Sequence, residues 1–102
     1  MRYQIIAELL TENKIIDTIG QHRTDGYKSS EIYCIKGTVR QSEFYDAAQQ
    51  GLKPSFVLET SIHDYSGEKL VRVDGIIYQI YRTYEPVGSE TVELYCTEKA
   101  GV

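Results

Sequence analysis

No stretch of this 102-residue sequence comes near the ~20 consecutive apolar residues that a membrane-spanning helix needs. The amino-terminal run MRYQIIAELLTE places acidic residues where a secretory leader requires an unbroken apolar core, so synthesis in the cytoplasm is expected. Basic residues are few and scattered: eleven Lys and Arg stand against fifteen Asp and Glu, for a net charge of −4. Residues 1–53 carry seven of each sign, whereas 54–102 carry eight acids and four bases. Without a basic cluster the chain lacks the electrostatic footprint of a protein that grips nucleic acid. It could still surround DNA without gripping it.

Cysteine and histidine are equally scarce. Cys34 and Cys96 lie far apart with no secretory context for a disulfide framework, so both are read as reduced thiols within strands. With His22 and His63 they form no C-x-x-C or H-x-x-x-H spacing, and no zinc site is expected. His63 and Asp64 are adjacent, so along a strand their side chains point to opposite faces, which suits a polar strand end better than a general base. A Gly-rich phosphate loop and a G-x-S-x-G elbow are both missing, and Ser66-Gly67 reads as a turn. No enzyme, no cofactor and no metal are expected from this inventory.

The strongest positive signal runs from Asp64 to Tyr84, DYSGEKLVRVDGIIYQIYRTY. Asp74-Gly75, set between runs rich in Val, Ile and Tyr, predicts a two-residue type I′ turn, because both central positions must tolerate positive φ. Such a turn sets Val73 opposite Ile76, Val71 opposite Tyr78 and Lys69 opposite Ile80. Val71, Val73, Ile76, Tyr78 and Ile80 then share a core face. The other face mixes Arg72, Gln79 and Thr83 with Leu70, Ile77 and Tyr81, and is expected to be covered by another segment or chain.

In chain order, residues 3–10 predict a strand and 15–30 a polar loop holding a ragged edge strand around Ile19–Arg23. Residues 31–40 predict a strand bent or bulged at Gly37. Gln41–Gln50 predicts the one helix, with Ser42 as N-cap, Glu43 in the first turn, Gly51 as the left-handed residue after its end and Pro54 blocking continuation. Strands follow over 55–63, with Phe56, Leu58, Thr60 and Ile62 on one face, and over 91–97, turning Val92, Leu94 and Cys96 inward, with a turn over Glu85–Glu90. The chain is one domain with no repeat or linker. The fold class is mainly β: five or six strands with one short helix inserted near residues 42–50, closed as a small antiparallel barrel or layered as a sandwich. Nine Tyr residues add an excess of a residue type that is enriched in protein interfaces.

The ordered set Tyr33-Cys34-Ile35-Lys36, Ser42-Glu43-Phe44-Tyr45, Ala47-Ala48 and Gly51-Leu52-Lys53-Pro54 resembles the middle of the head-closure family of tailed bacteriophages, also called head–tail connector, adaptor or stopper proteins. Asp64-Tyr65, Gly67-Glu68, Gly75, Tyr78, Ile80, Tyr81-Arg82-Thr83-Tyr84 and Glu93-Leu94-Tyr95 continue the likeness, with Asp17 and Gly20 adding to it upstream. The turn Pro86–Ser89 lacks the charged loop often seen there. The resemblance implies a small β-barrel that assembles, self with self, as a twelve-fold ring in the virion neck after a period in the host cytoplasm. Its partners would be the portal–adaptor stack and the tail protein, and DNA would pass through its channel without specific binding. Another neck component, such as the adaptor or tail-terminator ring, is the alternative. A barrel that stacks single-stranded nucleic acid on its Tyr residues is a more distant one, since it would need a basic groove.

Two surfaces are expected to carry that role. One is the segment of Ser42, Glu43, Phe44, Tyr45, Gln49, Gln50, Leu52 and Lys53, for docking or for gating DNA. The other is a hairpin interface of Tyr65, Glu68, Arg72, Tyr81, Arg82 and Tyr84. The helix has two open placements: projecting from the barrel, or capping it with Phe44 in the core.

Overall fold

The computed structural model describes residues 2–16 and 22–98. Six strands and one helix follow in the order β1 (Tyr3–Ile16), β2 (His22–Gly37), α1 (Gln41–Gln49), β3 (Pro54–Ser61), β4 (Leu70–Val73), β5 (Ile76–Tyr84) and β6 (Thr91–Glu98). All neighbours pair antiparallel, and the strands close into a barrel in the order β1-β2-β3-β6-β5-β4.

The central hairpin has the register its turn dictates. Val73 opposes Ile76, Arg72 opposes Ile77, Val71 opposes Tyr78 and Leu70 opposes Gln79. Asp74 and Gly75 have φ of 52° and 80°, as a type I′ turn requires. Beyond the strand proper, the Ile80 amide donates to the Lys69 carbonyl at 2.8 Å.

One continuous core fills the barrel. It holds Ala7 and Leu9 of β1, Ile32 and Cys34 of β2, Phe56 and Leu58 of β3, Val71 and Val73 of β4, Ile80 of β5, and Val92, Leu94 and Cys96 of β6. Tyr78 packs edge-on against Phe56, ring centroids 4.6 Å apart. Ile76, expected on this face, is instead 53% exposed. It sits at the rim beside the turn, and among the described residues β6 joins β5 only from Tyr78 onward. On the outward face Leu70 is buried, Ile77 and Tyr81 are half-buried and Gln79 is exposed, so cover there is partial. Thr83, expected on this face, is instead opposite Leu94 on the inward side, because the ladder slips by one residue between Ile80 and Arg82.

The largest departure from the expected elements is the β1–β2 ribbon. The first strand runs on to Ile16, and the second begins at His22, where a loop was expected; the rest of the expected edge strand, and Asp17 and Gly20, fall outside the described residues. β1 meets β4 only over Glu8–Leu10, and β2 meets β3 only over Ile35–Gly37. The ribbon continues past these contacts, Thr11 paired with Lys28 and Ile16 with His22. At about 3.3 Å per residue its 14-residue strand spans roughly 46 Å, close to the 48 Å long axis of the molecule. Gly26, at φ 83°, stands where the register slips between Glu12 and Lys14, the geometry of a bulge with glycine in its left-handed position.

The remaining corrections are local. β2 ends at Gly37, and β3 spans Pro54–Ser61. The helix starts one residue earlier than its expected cap: Arg40 is the N-cap, without a side-chain bond, and Ser42 sits in the first turn. Its other end is as expected. Gly51 has φ 79°, its amide donates to the Ala48 carbonyl at 3.0 Å, and the Leu52 amide donates to the Ala47 carbonyl at 2.9 Å, the paired bonds of a Schellman motif.

Candidate functional site

Side chains alternate along β6, so with Leu94 and Cys96 inside, Tyr95 and Thr97 face outward. Arg82 pairs with Tyr95 across the ladder and therefore faces outward as well, after a bulge at Tyr81. This outer patch of β5 and β6 is where α1 lies. Glu43 is the centre of the contact. Its carboxylate accepts the Tyr81 hydroxyl at 2.9 Å and forms a two-pronged ion pair with the Arg82 guanidinium. Arg82 in turn stacks 4.2 Å above the Tyr95 ring, and the Tyr95 hydroxyl donates to Glu93 at 2.7 Å. Along the exit from the helix, the Thr97 hydroxyl donates to the Lys53 carbonyl at 2.7 Å.

The electrostatics follow from this wiring. Burial alone would push the Glu43 carboxyl up, but the hydrogen bonds from Arg82 and Tyr81, with the guanidinium charge, hold it below its ordinary value. The Tyr81 phenol is pushed up by burial and by its bond to that carboxylate. Burial and Glu93 raise the Tyr95 phenol to about 12. Arg82 is raised by its bond to Glu43.

The helix is therefore docked on the outside of the wall. Phe44 is 45% exposed and stands apart from the core cluster, so the placement that put it in the core is overturned. Tyr45 is 62% exposed, and Ser42, Gln49, Gln50 and Lys53 are also open to solvent, with Leu52 half-buried. The segment is therefore accessible apart from Glu43, which faces the wall, but Ser42, Glu43, Phe44 and Tyr45 are consecutive helical residues that point in different directions and do not form one face.

The expected hairpin interface is not one surface. Tyr81 and Arg82 belong to the Glu43 cluster. Tyr65 packs against the core, and its hydroxyl donates to the Glu68 carbonyl at 2.7 Å, while the Glu68 carboxylate accepts the Ser66 amide. Arg72 is paired with Glu8 of β1 at 3.3 Å, and Tyr84 stands exposed near the start of the last turn. Two features were not foreseen. Tyr95 and Glu93 complete the Glu43 cluster, which the outward phase of the last strand could have suggested. Ile6, Tyr33 and Ile35 form an exposed apolar patch on the outer β1–β2 wall, with Ile6 directly opposite Tyr33. The unbroken alternation of apolar residues in Ile32-Tyr33-Cys34-Ile35 carried that signal, since two-faced apolarity means that both faces meet something.

Chemically, the contact is a charge-assisted hydrogen-bond network that fastens α1 to the wall. Both thiols are buried, free and pushed up by burial, Cys34 to about 11 and Cys96 further, which withholds the nucleophilic thiolate. Among the described residues no group of three or more His, Cys, Asp or Glu side chains is placed to hold a metal ion. No helix there is long and apolar enough to cross a membrane. No family model, curated protein or solved structure matches the chain.

Proposed function

We propose that this chain is a structural component of the tailed-phage neck, of the head-closure kind, and not an enzyme. It joins a ring with copies of itself, of twelve-fold symmetry in that family, between the portal–adaptor stack and the tail. It extends the DNA channel there and holds the packaged genome until the tail joins. The observation that carries the reading is the position of α1: a helix inserted between two strands of a closed barrel, lying outside the wall, with Phe44 and Tyr45 turned to solvent.

Two further features support it. The exposed apolar residues fall on different elements, Phe44 and Tyr45 on the helix and Ile6, Tyr33 and Ile35 on β1 and β2. Unlike patches on one chain suit head-to-tail contacts that close by rotation. The acidic excess after residue 53 supplies no phosphate-neutralising attraction, so DNA would slide and not stick. The neighbouring neck roles fit less well. The adaptor kind is mostly helical, whereas among the described residues this chain has nine in a helix.

The test is genetic. In a virus that encodes the chain, its loss is expected to leave heads that package and then leak DNA, alongside free tails. Normal yields of tailed, infectious particles would overturn the reading.

A further inference from the structure

The helix is held to the barrel by very little. Its only buried residue is Ala47, a side chain too small to anchor nine residues. Open grooves run along both flanks: one of about 670 Å³ bounded by Asp46, Gln49, Tyr81 and Arg82, the other of about 630 Å³ bounded by Phe44, Leu52, Pro54 and Gln79. Between them, the Glu43 carboxylate makes the one ion pair from the helix to the wall among the described residues. Its side chain is 13% exposed, far more enclosed than those of its neighbours on the helix. A helix of this length is marginal in water when it is not packed.

We propose that α1 is a releasable arm latched to the barrel by Glu43, and that breaking the carboxylate's bonds to Arg82 and Tyr81 frees the helix while the barrel stays folded. In the latched state Glu43 occupies the donor site formed by Tyr81 and Arg82 over the Tyr95 ring. On release that site opens on the outer wall, and α1 can move as a unit hinged at Thr38–Arg40 and Gly51–Lys53, segments outside the strands. The latch answers to pH as well as to mutation. The groups facing Glu43 are Tyr81 and Arg82 from β5 and Tyr95, backed by Glu93, from β6, with Asp46 on its own helix lining the same groove. Neutralising Glu43 removes the ion pair and leaves Arg82 stacked on Tyr95. The latch itself does not depend on the neck reading; only its use in docking does.

Amide hydrogen exchange on the full chain tests it, resolved by residue and corrected for intrinsic chemistry. In the wild-type protein, α1 amides are expected to open more often than those of β3 and β6. Glu43→Gln should raise α1 opening about tenfold, the order expected for losing charge-assisted bonds at a partly enclosed site, while leaving β3 and β6 unchanged. Lowering the pH should loosen wild-type α1 as Glu43 protonates and should leave Glu43→Gln flat. Should Glu43→Gln unfold, Tyr81→Phe, which removes one donor, must loosen α1 selectively by a smaller factor. Unchanged α1 exchange, or exchange that rises in step with the barrel strands, would overturn the latch. Because the isolated chain is measured, either result leaves the neck reading to its own test.

Discussion

Asp74 and Gly75 both hold positive φ, and a Cβ built on Gly75 would meet nothing within 4 Å, so the demand on that residue is conformational and not steric. Gly75→Val is expected to destabilise the fold by roughly 1–3 kcal/mol through backbone strain alone. Thermal melting checks this, and an unchanged midpoint would mean the turn tolerates a branched residue. Leu58, fully enclosed in the core, sets the other end of the scale: Leu58→Ala should cost about 2–5 kcal/mol. Both positions were legible in the sequence, Gly75 from its dipeptide and Leu58 from period-two spacing with Phe56 and Thr60. Ile76 was not. Its place in the alternation is right, but alternation says nothing about whether a neighbouring strand reaches as far as the rim.

Among the elements, α1 shows how far local signals reach. Gly51 and Pro54 marked its end, because backbone sterics leave little choice there. The start was misplaced, since Arg40 caps the helix with its backbone alone and no side chain announces it. Which side of the barrel the helix takes depends on Glu43 meeting Tyr81 and Arg82, some forty residues away, and no local pattern encodes that. With Phe44 on the outer face, Phe44→Ala should shift stability by less than about 1 kcal/mol, against the roughly 3–5 kcal/mol of a core phenylalanine. Chemical denaturation separates the two, and a loss in the larger range would put Phe44 back in the core. The β1–β2 ribbon was the least legible element. His22–Ser30 is polar and contains Gly26, so neither hydrophobic period nor propensity favours a strand, and only pairing with the long first strand produces one.

At the scale of the whole molecule, several buried groups keep their protons longer when folded. Cys34, Cys96, Tyr81 and Tyr95 are all raised by burial. The unfolded chain releases these protons first, so the folded state binds more of them in alkali and stability falls as pH rises. Melting temperature should therefore decline from about pH 9 upward, near the ordinary thiol value. Replacing both cysteines with Ala should flatten the early part of that decline, although the cavities would lower the midpoint throughout. Glu43 acts in the opposite sense: its contribution is present above the ordinary carboxylate range and is lost as pH falls through its lowered value.

Assembly belongs to the same scale. Among the described residues the exposed apolar side chains are divided among separate elements and form no single long stripe, so the purified chain is expected to sediment as a monomer at micromolar concentration and to form a ring only on a preassembled neck. A stable dodecamer of the chain alone would contradict that order of events. Most direct for the central claim is the location of the chain in intact virions, read by gold labelling of an epitope carried in the exposed turn around Val87. The account predicts label confined to the junction of head and tail; label on the capsid shell or tail tip, or virions without label, would contradict it.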